Sequence, residues 1–274
     1  MITYRATLDV SRELVHFTAG LLLAERRRRG TPRGSRKLTC YWQAVLGLRW
    51  FRDKTMIESL ARDHGISRAT GYRYVDEVIA VLAGEAPELP DALARALAEG
   101  VAFVILDGKI IPSDRCLEKT TSVKGEAIDL WYSGKAHHHG GSIQAVARPD
   151  GLPLWVPGAE PGSVHDITAA RIHALPALYR AAALGVPTLA DPGYQGAGIG
   201  IHIPVQQPGN GELDPGNQTR NAIQRSLRCL CERAFALLNQ RWRTLQHITA
   251  SPSKITGIAR AALILTQYEH GYIK

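Results

Sequence analysis

Cysteine is scarce: four occur in 274 residues, Cys40, Cys116, Cys229 and Cys231. Only the last two are close, and their spacing matches no zinc or redox motif. Reduced thiols are therefore expected, rather than a disulfide framework. Long apolar runs are missing too. The patch around Leu21 to Leu23 is broken by charged residues, and no small-residue cleavage site follows it. Neither a signal peptide nor a membrane span is expected, and the expected location is the cytoplasm. No internal repeat or low-complexity segment interrupts the chain, and its ordinary apolar share points to a soluble globular protein.

What the chain does have is an excess of positive charge. Lys and Arg number 33 against 25 Asp and Glu, with a sequence pI near 9.5. That balance favours polyanionic partners. The excess is uneven. Arg26, Arg27, Arg28 and Arg29 form an unbroken run, and Arg33, Arg36 and Lys37 follow in a turn-rich stretch. Taken alone, such a run reads as a solvated, flexible face.

The first 85 or so residues read as helical, with apolar positions at helical spacing. Residues 84–91, GEAPELPD, carry a Gly and two Pro and suggest a boundary. A short helix, ALARALAEG, leads into the next region, so a helical region over 1–90 and a second domain over 95–274 are expected. There VAFVILD (101–107) is a short, branched, apolar run that suits a strand covered on both faces and ends on an aspartate. GSIQAVARPDGLPLWVPG (141–158) reads as a hairpin turning at PDG. Asp166 to Arg180 reads as one helix, GVPTLAD (185–191) as a second strand ending on an aspartate, and roughly 217–246 as a long closing helix. The order implies an α/β fold, a mixed sheet flanked by helices. The Pro- and Gly-rich stretch 204–217 reads as a loop over an active site or onto DNA.

Within 55–83, Ile57, Leu60 and Ala61 give one apolar face, His64 and Gly65 make a turn, and Ser67 is placed to cap a second helix. This pattern fits a helix-turn-helix, whose second helix enters the major groove with its first residues facing base edges. Here those residues are Ser67, Arg68, Thr70, Tyr72 and Arg73. A plain two-helix corner would share the pattern. The arginine run nearby, able to lie on phosphates, favours the DNA-binding reading.

Asp107 in ILDGK and Asp191 in LADPGYQG close two apolar strands, where α/β proteins place their chemistry. A third acid, Glu232, follows Arg225 and Arg228 on the closing helix. There Ile223, Leu227, Leu230, Ala234, Leu237 and Leu238 make an apolar stripe opposite Arg225, Arg228, Glu232 and Asn239. That polar side is equally suited to facing solvent. Three gathered carboxylates repel one another unless cations join them, and all-oxygen donors select hard ions, magnesium or manganese. Two such ions, about 4 Å apart, can activate an attacking oxygen and neutralise a leaving oxygen in phosphodiester cleavage.

Over nearly its whole length the chain resembles bacterial insertion-sequence transposases of the DDE-superfamily-endonuclease type, related to Harbinger transposases. The resemblance rests on the helix-turn-helix at 55–83, LDGK at 106–109, YSGK at 132–135, the PDG turn, PGSVHD at 161–166, ADPGYQG at 190–196 and CERAFALLNQRWR at 231–243. It implies a ribonuclease-H-like catalytic fold with Asp107, Asp191 and Glu232 as a triad holding magnesium or manganese, two ions in all. It further implies that His165 and Asp166 lie near the site, that Lys109 and Lys135 contact phosphates, and that Tyr194 shapes the active-site loop. Two positions depart from the family pattern. Cys231 stands where an aliphatic residue is usual, and His137, His138 and His139 stand where Lys and Arg are usual. Three consecutive histidines on a strand cannot all converge on one ion.

The implied partners are double-stranded DNA, both element ends and target, and a second copy of the chain or more, since two ends must be held at once. A nucleoid-associated location follows. A catalytically silent DNA-binding regulator and a host nuclease on the same fold remain as alternatives.

Overall fold

The computed structural model describes residues 7–122, 125–209 and 211–274. Four helices come first: α1 (Arg12–Arg28), α2 (Cys40–Asp53), α3 (Ile57–Asp63) and α4 (Arg68–Gly84). Ser11, Thr39 and Ser67 start α1, α2 and α4, each side chain accepting from the backbone N–H three residues on. These contacts satisfy donors that a helix start leaves orphaned. The arginine run is helical and largely exposed. Arg26, Arg27 and Arg28 form the last turn of α1 and Arg29 caps it, where positive charge meets the negative end of the helix dipole.

Between α3 and α4 the chain turns at His64 and Gly65, with Gly65 in the left-handed region at φ 60°. Ile57, Leu60, Tyr74 and Val75 bury one another across the turn. Gly71 makes the approach close, since a Cβ there would stand 3.0 Å from Ile57 Cγ2.

The link after α4 is short, because α5 (Leu89–Ala98) begins at Leu89. Then comes a seven-stranded mixed sheet. Its central path is β4 (Tyr132–Ser133), β5 (His138–Ala147), β1 (Val104–Pro112), β8 (Thr188–Ala190) and β9 (Ile201–His202). β6 (Pro153–Trp155) and β7 (Glu160–Pro161) also pair with β5, and β2 (Lys119–Thr121) and β3 (Ala127–Asp129) form a separate hairpin. β1 runs antiparallel to β5 and parallel to β8. The PDG turn lies where expected, with Gly151 at φ 82°.

Three elements differ from the sequence reading. β1 does not stop at Asp107: pairing with β5 carries it through Gly108 and Lys109 to Pro112. The helix expected over 166–180 is two, α6 (Asp166–His173) and α7 (Leu175–Ala183), because Pro176 cannot continue a helical ladder and starts a new one instead. The closing helix is likewise divided, into α8 (Pro215–Arg228) and α9 (Leu230–Asn239), and a further helix follows, α10 (Ile255–Glu269).

The apolar stripe expected along 223–238 fails on α8. Ile223 is 56% exposed, while the polar Asn221 and Gln224 are buried. Asn221 pairs with both backbone groups of Val205, and Gln224 Nε2 donates to the His202 carbonyl at 2.5 Å. α8 covers the chain at and just beyond the edge strand β9, where backbone groups need partners more than side chains need burial. On α9 the stripe is Cys231, Ala234, Phe235 and Leu238. The loop expected over 204–217 ends at α8; Asn210 within it lies outside the described residues.

One hydrophobic core joins α1, α2 and α4 to one sheet face and to α9 and α10. Trp242 is its anchor, fully buried, edge-on to Phe51 and donating its indole N–H to Thr266 Oγ1 at 2.9 Å. The first helices and the sheet therefore share packing across the expected boundary near residue 95. A second core lies on the opposite sheet face under α5, α6 and α7. Among the described residues no helix is long and apolar enough to cross a membrane.

Candidate active site

β1 places its side chains alternately on the two sheet faces. Ile105 and Ile111 belong to the core under α9 and α10, and Val104 and Leu106 to the core under α6 and α7. Asp107 therefore faces α8 and α9, while the bare Cα of Gly108 faces α6. Parallel pairing matches Leu106 with Ala190, so Asp191, the next residue, leaves β8 beside Asp107. Its Oδ1 accepts from the Gly193 N–H at 2.9 Å and caps the 3-10 turn Pro192–Tyr194.

A third carboxylate reaches the same place from α6. Asp166, its first residue, accepts from Gln144 Nε2 through its backbone carbonyl at 2.7 Å, and its Oδ2 stands 3.3 Å from Lys135 Nζ. A Cβ added at Gly108 would lie 2.8 Å from Asp166 Oδ1. Only glycine leaves that carboxylate room, which explains the DGK sequence on chemical grounds.

The charges here act on one another. Burial raises the Asp107 carboxyl above its ordinary range; the Gly108 N–H and Arg228 oppose this, and Asp191 and Asp166 add to it. Lys135 is held above its ordinary value by Asp166 first, with Asp191 and Asp107 contributing. Tyr194 is fully buried, and its phenol is pushed up by that burial and then by the same three aspartates. Arg228 Nη1 approaches Asp107 Oδ2 at 3.7 Å.

Glu232 is placed differently. It is exposed in the first turn of α9 and shares the lining of a cavity of about 720 Å³ with Asp107, Lys109, Phe235 and Asn239. No hydrogen bond or ion pair joins it to Asp107 or Asp191 among the described residues. On the other side of Gly108, Lys109, Tyr132, Lys135, His138, His165 and Asp166 help line a cavity of about 710 Å³. Asp107 thus sits at the edge of one cavity and Asp166 at the edge of the other.

Of the remaining expected residues, Lys109 and His165 line these cavities and those expected on DNA do not. Lys109 is exposed, its ammonium 5.8 Å from the Phe235 ring. His165 is exposed at the start of α6 and makes no capping bond. Arg228, expected on DNA, pairs with Asp107 instead, while Arg225 stays exposed. Arg26 donates to the Leu38 carbonyl and Gln43 Oε1, Arg28 and Arg29 pair with Glu25, and Arg27 is exposed. Ser67, Arg68, Tyr72 and Arg73 are exposed along the first turns of α4, with Thr70 half-buried. Arg68 pairs with Glu58. His139 approaches Asp129 at 3.4 Å, and His137 adopts φ 57°, so the three histidines do not converge.

Sequence reasoning missed Gln144, a buried amide in β5 between Ile143 and Ala145. That break in the GSIQAVA run was the available signal.

As they stand, no three His, Cys, Asp or Glu side chains among the described residues close around a single ion. The donor type nonetheless fits a hard divalent cation: Asp107, Asp166 and Asp191 offer carboxylate oxygens, with Arg228 and Lys135 against two of them. A family model described as DDE superfamily endonuclease matches residues 106–267, more than half of the chain. The chain belongs to this family. The match begins at Leu106, beside Asp107, and runs into α10, so Asp107, Asp166, Asp191 and Glu232 all lie within the DDE superfamily endonuclease region. No curated protein and no solved structure matches the chain.

Proposed function

We propose that this protein is a DNA transposase. It binds the ends of its element, hydrolyses a phosphodiester to free a 3′ hydroxyl, and joins that hydroxyl to target DNA. The observation that carries the reading is that Asp107 in β1 and Asp191, one residue past the parallel β8, lie side by side within a DDE superfamily endonuclease region. The strand order supports a ribonuclease-H-like fold, with β1 central between antiparallel β5 and parallel β8.

Asp107, Asp191 and Glu232 are the residues that would hold magnesium or manganese. When bound, the ions would supply Lewis-acid stabilisation of the attacking and leaving oxygens. Lys109 and Lys135, on the rims of the two cavities, would bind the phosphates flanking the scissile bond. Tyr194 and Gln144 would keep the loop beside Asp191 in place through their 3.1 Å hydrogen bond. The exposed Ser67, Arg68, Tyr72 and Arg73, with Thr70, would read base edges, and Arg27 would meet phosphate. Assembly as a dimer or larger on paired element ends, and residence on the nucleoid, follow from that activity.

The test is strand cleavage of a duplex carrying the inverted repeats that flank the reading frame, with magnesium present. Asp107→Ala should abolish it, and retained cleavage removes the assignment. A second reading, DNA binding without catalysis, is favoured by Arg228, whose guanidinium stands 3.7 Å from the Asp107 carboxylate where an ion would have to bind. Specific binding of the same duplex without cleavage under magnesium or manganese would select it. Cleavage without strand-transfer products would select a host nuclease.

A further inference from the structure

We propose that Asp166 is a direct ligand of the divalent-ion site, alongside Asp107 and Asp191, and that the Lys135 ammonium occupies its carboxylate until an ion displaces it. The inference rests on the nuclease reading and adds a carboxylate to it. Asp166 reaches across both strand ends at once: its Oδ1 lies 2.8 Å from where a Gly108 Cβ would be, and its Oδ2 3.7 Å from where a Gly193 Cβ would be. Gly108 follows Asp107 directly, and Gly193 follows Asp191 by two. The Asp166 carboxylate is therefore wedged between the backbones that carry the other two aspartates.

An acid at the first position of a helix is favourable on its own, through the helix dipole. That role requires neither the wedge nor what lies beneath it. Gln144 is 1% exposed, pairs with Gly108 across the strands, and holds Asp166 in place from below through its backbone carbonyl. Its Oε1 is buried and has no partner among the described residues. A buried acceptor of this kind wants a donor, and water on a bound ion is one. Charge points the same way. Asp166 and Asp107 each already draw a cationic side chain, Lys135 at 3.3 Å and Arg228 at 3.7 Å, and no cationic side chain pairs with Asp191 among the described residues.

The experiment is manganese binding by the full chain without DNA, read by electron paramagnetic resonance of free Mn2+ and by the Mn2+-induced rise in Tm. Asp166→Asn should weaken binding about 10-fold or more and abolish the Tm rise, as Asp107→Asn should. Lys135→Met should tighten binding several-fold, because a competing cation is gone. If Asp166→Asn binds Mn2+ like the wild type while Asp107→Asn does not, Asp166 is no ligand and the nuclease reading survives. If the wild type binds no Mn2+ at millimolar concentration, both fall. Should Asp166→Asn not fold, Lys135→Met decides, and unchanged affinity there overturns the proposal.

Discussion

Gly108 and Asp166 are locked together: no side chain fits on residue 108 while the Asp166 carboxylate keeps its place, 2.8 Å from the missing Cβ. The φ of Gly108 is not in the left-handed region, so the requirement is for space, not for backbone freedom. Gly108→Ala should therefore push Asp166 aside without unfolding β1. Displacing a reacting group by about 1 Å costs on the order of 100-fold in rate. Cleavage assays should show a loss of that size with Tm changed by no more than a few degrees. Full activity in Gly108→Ala would mean that Asp166 takes no part in positioning the substrate or its ions.

Asp107 carries a stability signature of the site. Its carboxyl lies above the ordinary range chiefly because it is buried. A raised pKa means the protonated form favours the fold, a contribution complete below the ordinary carboxyl range and lost as pH rises through the folded value. At neutral pH the ionised Asp107 weakens the fold. With chelator present, Asp107→Asn should melt a few degrees higher than wild type at pH 7, and the gap should close towards pH 4. A lower Tm for the variant at pH 7 would show that the Arg228 ion pair outweighs burial.

The local structure around these residues was partly legible along the chain. Apolar strands ending near Asp107 and Asp191 follow from local composition, as do the PDG turn and the Ser67 cap. What composition could not reveal is which distant groups cross over them. Asp166 looked like an accessory at a helix start, because its place above Gly108 depends on how α6 lies across β1. Arg228 looked like a DNA contact, because its partner is more than a hundred residues away. The inward face of α8 was misread for a physical reason: Asn221 and Gln224 are buried to satisfy backbone groups, and an apolar-stripe argument assumes that inward means apolar. α10, whose core side is apolar apart from Thr266 and Gln267, was left without a place because no chemistry marks it.

Trp242 tests whether the first helices and the sheet fold as one unit. Its ring lies edge-on to Phe51 of α2, and its N–H is satisfied by Thr266 of α10. Trp242→Ala should cost about 3–5 kcal/mol, a fall in Tm of roughly 10 °C for a chain of this size. Because both halves contribute to one core, calorimetry should show a single transition for wild type and variant. Two separated transitions in the wild type would mean that the shared core does not couple them.

The first turns of α4 test the DNA-reading assignment independently of cleavage. Arg68 and Arg73 are exposed there, and Arg68 already leans on Glu58 at 2.8 Å, so part of its charge is neutralised in the free protein. An arginine that reads a base edge should lose about 1–3 kcal/mol of specific binding on truncation and relax preference at one position. One that meets only phosphate should weaken all sequences alike and lower the salt slope by about 1. Arg68→Ala and Arg73→Ala, titrated with element-end and unrelated duplexes at two salt concentrations, separate these outcomes. Glu58→Gln should strengthen binding slightly by freeing Arg68. Unchanged affinity in both arginine variants would leave α3 and α4 as a structural corner.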